Sequence, residues 1–240
     1  MSFDFTLETY KELLRSLQQH TDHIIPFNEL IFSKEEQTIC LRHDVDLMPQ
    51  NSLEFAKIQH DLNIRGTYYF RAKTESWDIS IIKEIYNLGH EVGYHYENLS
   101  STGGDLSFAI ADFKKNLKKL EKILPVSTIC MHGSPRSKFD SKELWKYFDY
   151  QDYGILGEPY FDVDFSEVLY LTDTGRRWNG DKFSLRDKLS KMHINQGSEL
   201  SNNGFPNSGR FPEWKVKPKL NSSLNMSQEA IDFQNQYIRW

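Results

Sequence analysis

Apolar and β-branched runs alternate along the chain with stretches whose apolar positions recur every three to four residues. That is the order expected of successive strand-helix units. "YKELLRSL" predicts an opening helix and "TICLRHDVD" a strand; "NSLEFAKIQHDL" then predicts a helix with Asn51 at its N-cap, and "RGTYYFRA" a second strand. "ISIIKEIYNLG" reads as a helix stopped by Gly89, and "HEVGYHYE" as the third strand. A longer helix follows, with Leu106, Ile110, Phe113, Leu117, Leu120 and Leu124 on one stripe and Pro125 at its end, before the strand "VSTICMHG". "SKELWKYFDY" predicts a short helix, and "YGILGEPY" and "EVLYLTDTG" two further strands.

This alternation implies an α/β domain with a mostly parallel sheet, either closed into a barrel or left open and doubly wound. Both architectures put functional groups at the carboxyl ends of the strands. The polar clusters "RHDVD", "YFR", "HYEN", "MHG" and "TDTGRRW" all fall at or just past such ends. The expected domain runs from residue 1 to 195. Residues 196–240, rich in Ser, Asn, Gly and Pro, predict an irregular segment, a surface excursion or an incomplete end of the domain, with "QEAIDFQNQYIRW" as a terminal helix.

With 240 residues, 38% hydrophobic positions and a formal net charge of -5, the composition is that of a globular protein and gives no support to nucleic-acid binding. "FKKNLKKLEK" is interrupted by apolar residues at helical spacing and reads as a solvated helix face. No apolar run is long enough to span a bilayer. The acidic first ten residues do not resemble a secretory signal, and Cys40 and Cys130 read as two buried thiols, so a cytoplasmic location is expected. The oligomeric state is not indicated.

Alternation along a strand puts Arg42, Asp44 and Asp46 on one face and His43 and Val45 on the other. Two carboxylates on one face need a cation between or beside them, either Arg42 or a bound metal. "GHEVGYHYENLS" adds His90, His95 and Glu97, with His95 and Glu97 on one face. Imidazole and carboxylate are the donors a catalytic zinc takes. His95 is the better ligand candidate, and His90 reads as a hydrogen-bonded residue at the start of a strand. Tyr94 and Tyr96 oppose His95 and are expected to face the helix layer.

In their order and spacing, "LRHDVD", "GTYYFR", "GHEVGYH" and "HGSPRS" resemble the polysaccharide deacetylase superfamily, the NodB-like or carbohydrate esterase family 4 proteins. The resemblance covers about residues 38–136. It implies a distorted (β/α) barrel of mostly parallel strands, incomplete here if the C-terminal segment does not close it. It further implies a metal-dependent hydrolase that removes an N-acyl group from a sugar or related amide, with a divalent ion, most often zinc, as cofactor and a carbohydrate as partner. By that match Asp44 is the general base, Asp46 a metal ligand, and His95 the first His of a H-[ST]-x-x-H motif. The second His position holds Leu99, and Tyr96 stands in place of Ser or Thr.

Glu97, Asn98 or His132 are the candidates to complete the metal set, Glu97 first because it is anionic and shares the strand face with His95. His132 otherwise counts as a catalytic residue, at a position where the family usually has an Arg, and Arg136 is a replacement for that charge. Arg71, Arg136 and Trp178 are the expected substrate contacts on the rim. Arg176 and Arg177 either hold an anionic group or pair with Asp173 and Asp181. His193, the one late histidine, reads as a solvated loop residue before it reads as the acid for the leaving amine. The competing reading is a deacetylase-like barrel that binds carbohydrate or a protein partner without catalysis. G-x-S-x-G, C-x-x-C and G-x-G-x-x-G motifs are all absent.

Overall fold

The computed structural model describes residues 6–134 and 137–171. Helix α1 (Leu7–Gln18) starts where the Thr6 hydroxyl accepts from the Thr9 N–H, and it buries Tyr10, Leu13, Leu14 and Leu17 along one stripe. A single helical turn, α2 (Phe27–Leu30), precedes strand β1 (Arg42–Val45). Then come α3 (Pro49–Asp61), β2 (Thr67–Phe70), α4 (Ile79–Asn87), β3 (Glu91–Tyr96), the one-turn α5 (Asn98–Ser101), α6 (Leu106–Glu121) and β4 (Ile129–Met131). Two 3-10 turns, Ser141–Lys146 and Tyr150–Tyr153, and the one-turn α7 (Pro159–Asp162) follow. No helix among the described residues is long and apolar enough to cross a membrane.

All four strands pair in parallel in the order β1-β2-β3-β4, curled as a half-barrel. Helix and strand starts follow local chemistry. Asp78 and Asp105 cap α4 and α6, each carboxylate accepting from backbone N–H groups of the first turn. Gly89, at φ +92, takes the left-handed conformation that ends α4. Helix α3 departs from expectation: its N-cap is Met48, with Pro49 at the first helical position, and Asn51 lies inside the first turn.

The two faces of the sheet have opposite character. Outward, Val45, Tyr68, Phe70, Val92, Tyr94, Tyr96, Ile129 and Met131 join Leu53, Ala56, Ile82, Ile85, Phe113 and Leu117 from the helices in one apolar core. Tyr94 and Tyr96 thus do face the helix layer. His43 belongs to this side too, stacked on Tyr68 with ring centroids 4.4 Å apart and hydrogen-bonded to Gln59 at 2.9 Å.

Inward, polar and bulky groups share little space. Glu91 accepts from Thr128 Oγ1 at 2.5 Å, Thr67 Oγ1 at 2.8 Å and the Asn28 N–H at 2.9 Å, which pins the α2 segment under the sheet. Burial pushes the Glu91 carboxyl up, and those donors pull it back only in part. Tyr69 packs with Phe27, Ile31 and Cys130 on the same face. Its ring fits because β3 has Gly93 in register with it.

Two expected elements differ. "YGILGEPY" makes only one parallel bridge, Thr128 to Gly157, before the chain turns into α7. Glu158 is fully buried and its carboxylate accepts the Met131 N–H at 2.9 Å, taking the place a fifth strand would occupy, while Pro159 lacks the N–H a ladder needs. The expected helix over "SKELWKYFDY" is instead the 3-10 turn Ser141–Lys146, and the second 3-10 turn starts at the last residue of that stretch, Tyr150. The sheet and its helices lie within the compact unit Met1–Val163. Of the unit that starts at Asp164, the described residues hold a turn in which Asp164 accepts from the Ser166 N–H and hydroxyl, with no strand as far as Leu171. The remainder of the strand expected over "EVLYLTDTG", and residues 196–240, lie outside the described residues.

Gly93→Ala tests the inner-face packing. A Cβ at residue 93 would overlap the Tyr69 ring and lie 2.6 Å from the Thr128 carbonyl oxygen. The expected outcome is a loss of about 2 kcal/mol or more in urea unfolding, with an unchanged slope.

Candidate metal centre

The carboxyl ends of β1, β3 and β4 bring Asp44, Asp46, His95 and His132 together. Asp44 lies within β1 on the inner face. Asp46 lies just past the strand's end, where its N–H bonds back to the Asp44 carbonyl at 3.1 Å. His95 is opposite Cys130 in the β3–β4 register, and His132 follows β4 with its N–H donated to the Tyr96 carbonyl at 2.8 Å. Parallel pairing therefore aims all four side chains at one point.

Three atoms form a small triangle. Asp46 Oδ1 lies 2.9 Å from His132 Nδ1 and 3.5 Å from His95 Nε2, and the two nitrogens are 3.2 Å apart. His95 is 2% exposed, and its Nδ1 lies 2.9 Å from the Cys130 carbonyl oxygen. A carbonyl only accepts, so Nδ1 carries the proton and the neutral ring turns a lone pair at Nε2 toward the two aspartates. Burial lowers the basicity of His95 more than the nearby Asp44 and Asp46 charges raise it. Asp46 Oδ1 is itself shielded from solvent and has no well-aligned hydrogen-bond partner among the described residues.

A lone pair and a carboxylate oxygen facing each other at this range favour positive charge beside them, which a proton on His132 Nδ1 or a bound cation would supply. Ligand atoms at 2.0–2.1 Å around a tetrahedral zinc stand about 3.3 Å apart, so the observed separations match one face of such a tetrahedron. The backbone carbonyl behind His95 is the usual outer partner of a metal-binding imidazole. By these criteria Asp46, His95 and His132 fit a divalent ion. Burial raises the Asp46 carboxyl, but the His132 contact and the nearby Arg71 charge are among the groups that outweigh it and hold the carboxyl below its ordinary range. A second convergent group, Asp44, His95 and Cys130, shares His95 with the first; the Cys130 thiol is fully buried, and burial pushes it far up.

Asp44 stands at the open side. Its Oδ2 is 3.4 Å from the Arg42 guanidinium and 4.0 Å from His95 Nε2. The alternative reading of "RHDVD", with Arg42 pairing one carboxylate, thus coexists with the cluster.

Glu97 does not join the triangle. Its carboxylate takes a two-pronged bond from Arg71, at 3.1 Å from Nε and at 2.9 and 3.1 Å from one terminal nitrogen, with Lys73 Nζ 3.8 Å away. β3 ends at Tyr96, so the alternation that would align Glu97 with His95 stops one residue short. Asn98 is also engaged elsewhere, donating to Asp112 at 2.7 Å and accepting from the Tyr94 hydroxyl at 3.1 Å. Leu99, at the expected second-histidine position, is buried in the outer core. Arg71, expected on the substrate rim, is tied to Glu97 and to the Asp46 carbonyl at 3.3 Å. Arg136, Trp178 and His193 lie outside the described residues.

His90 sits at the opposite, amino end of β3. Its Nδ1 accepts from the Gly66 N–H at 3.1 Å and its Nε2 donates to the Ala56 carbonyl at 2.9 Å. The signal that separates the two histidines is position: His90 precedes the strand, and His95 lies on its inner face near the exit.

No family model matches the chain, and no curated protein matches it. Among solved structures, a family 4 carbohydrate esterase from Bacillus anthracis is similar, with a TM-score of 0.38 and 14% identity, covering 61% of this chain and 67% of that one. At that level of similarity, what the centre does has to be judged from its own side chains.

Burial lowers His90 from about 6.5 to about 4. Its folded value is depressed, so the stability gained from burying it neutral is complete above pH 6.5 and declines as pH falls, fully lost by about pH 4. The loss is about 3 kcal/mol at most. His90→Gln is expected to flatten this part of the stability-against-pH curve relative to wild type, measured by urea unfolding between pH 7 and 4.

Proposed function

We propose that the chain is a divalent-metal-dependent hydrolase of the polysaccharide deacetylase type, removing an N-acyl group from a sugar or a related amide. The observation that supports it is the triangle of Asp46 Oδ1, His95 Nε2 and His132 Nδ1, with separations suited to a bound ion and a carboxylate oxygen shielded from solvent at one corner. His132 takes the ligand position that Leu99 cannot fill. Two nitrogens and one carboxylate oxygen suit zinc among common divalent ions.

The ion, when bound, supplies Lewis acidity toward water and toward the acyl oxygen. The chain's own residues do the rest. Asp44, open to solvent beside the triangle, accepts a proton from the attacking water as its oxygen bonds to the acyl carbon. Arg42 holds that carboxylate in place from below. As the carbon–nitrogen bond breaks, Asp44 returns the proton to the leaving amine. The products are a free carboxylic acid and the amino sugar. His95, locked by the Cys130 carbonyl, and His132 keep their ring nitrogens turned inward throughout.

Elemental analysis of the purified protein is expected to give about one divalent ion per chain, lost in Asp46→Ala, His95→Ala and His132→Ala alike. Retention of metal by the His132 variant would sink this ligand set. Asp44→Asn is expected to keep the metal while acetate release from a panel of N-acetylated sugars, free and nucleotide-linked, drops by about 100-fold or more. A wild type that neither contains nor takes up zinc would leave the carbohydrate-binding reading in its place.

A further inference from the structure

Asp46, Arg71 and Glu97 each lie just beyond the end of a strand, β1, β2 and β3 in turn, where no ladder bond fixes the chain. They are nevertheless linked across all three strand ends. The Arg71 side chain donates to the Asp46 carbonyl at 3.3 Å from one terminal nitrogen, and grips Glu97 with Nε and the other. The Arg71 N–H donates to Ser76 Oγ at 3.1 Å, and that hydroxyl donates to the Val45 carbonyl at 2.5 Å. The two carbonyls on either side of the Cα of Asp46 are thus both anchored, directly or through Ser76, by residue 71. The side chains of Arg71 and Glu97 are 15% and 13% exposed, shielded enough for the pair to be stiff where a surface pair would be loose.

We propose that Arg71 and Glu97 act together as a positioning pair for Asp46, setting the direction from which its carboxylate meets His95 and His132. Neither residue touches the ion. Glu97 orients the guanidinium, and the guanidinium fixes the backbone of residue 46. This rests on the metal reading above and extends it to residues that such a reading would otherwise place on the metal or on the substrate. Planarity matters: a lysine at residue 71 keeps a charge for Glu97 but has no second fork to reach the Asp46 carbonyl.

The test is a double-mutant cycle on the full chain, read by cobalt(II) absorption and by zinc affinity in competition with a chelator. Arg71→Gln and Glu97→Gln are each expected to weaken zinc binding by about 10- to 100-fold and to change the intensity of the cobalt d–d bands. The double variant is expected to be no worse than the poorer single, because either change releases the same strut. Arg71→Lys is expected to behave as Arg71→Gln does, without rescue. The isosteric Glu97→Gln carries the test if an Arg71 variant fails to fold, with circular dichroism reporting the fold. Wild-type cobalt uptake with unaltered spectra and affinity in the variants overturns the positioning pair alone. Loss of metal in Glu97→Gln with full retention in Arg71→Gln overturns it in favour of direct ligation. A wild type that takes up neither ion overturns the metal reading and this inference with it.

Discussion

The hydrogen bond from His95 Nδ1 to the Cys130 carbonyl is the contact on which the centre depends. It exists because β3 and β4 pair in parallel with His95 opposite Cys130, so a main-chain acceptor sits behind the imidazole at a fixed height. One proton is placed by it, and placing that proton decides the chemistry of the other nitrogen. With Nδ1 donating, Nε2 is left as a lone pair among Asp44, Asp46 and His132. The opposite tautomer would turn a lone pair toward the carbonyl and offer the aspartates an ordinary hydrogen bond instead.

The outer face of the sheet makes this geometry affordable. Burying His95 next to two carboxylates costs free energy, and the same strand offsets it by sending Val92, Tyr94 and Tyr96 into the helix-covered core. Inward, Gly93 yields its volume to Tyr69, which closes the space beneath His95 with Phe27, Ile31 and Cys130. At the base, the Glu91 carboxylate is well served, accepting from two threonine hydroxyls and a backbone N–H of the α2 segment. At the rim, Asp46 Oδ1 is a shielded carboxylate oxygen without a well-aligned hydrogen bond, at the point where His95 and His132 converge.

Much of the architecture was legible in the alternation of apolar runs. The four described strands, the three long crossover helices and the inward direction of Asp44 and His95 follow from periods of two and 3.6. What periodicity could not supply is where a strand ends. Glu97 was expected beside His95 because alternation was carried one residue past Tyr96, and the backbone turns there into α5. His132 was harder to place for the complementary reason: its neighbour in space is set by the β3–β4 register, a long-range pairing that local sequence does not state. The fifth strand failed on a side chain, since Glu158 satisfies the Met131 N–H that another backbone would have bonded, and its deep burial raises its carboxyl to about 8.

His90 and His95 show most directly how backbone, more than residue type, assigns function here. They sit at opposite ends of one strand, five positions apart, and both are almost wholly buried. At the amino end, the Gly66 N–H and the Ala56 carbonyl engage both ring nitrogens of His90, so the ring is saturated by main chain and has nothing left to offer. At the carboxyl end, main chain engages only Nδ1 of His95, because β4 supplies a carbonyl on one side and the strand opens on the other. The carboxyl rim of a parallel sheet is where functional side chains collect, and His95 is the histidine of this pair that reaches it. The same residue type is a structural plug at one end of β3 and a candidate ligand at the other.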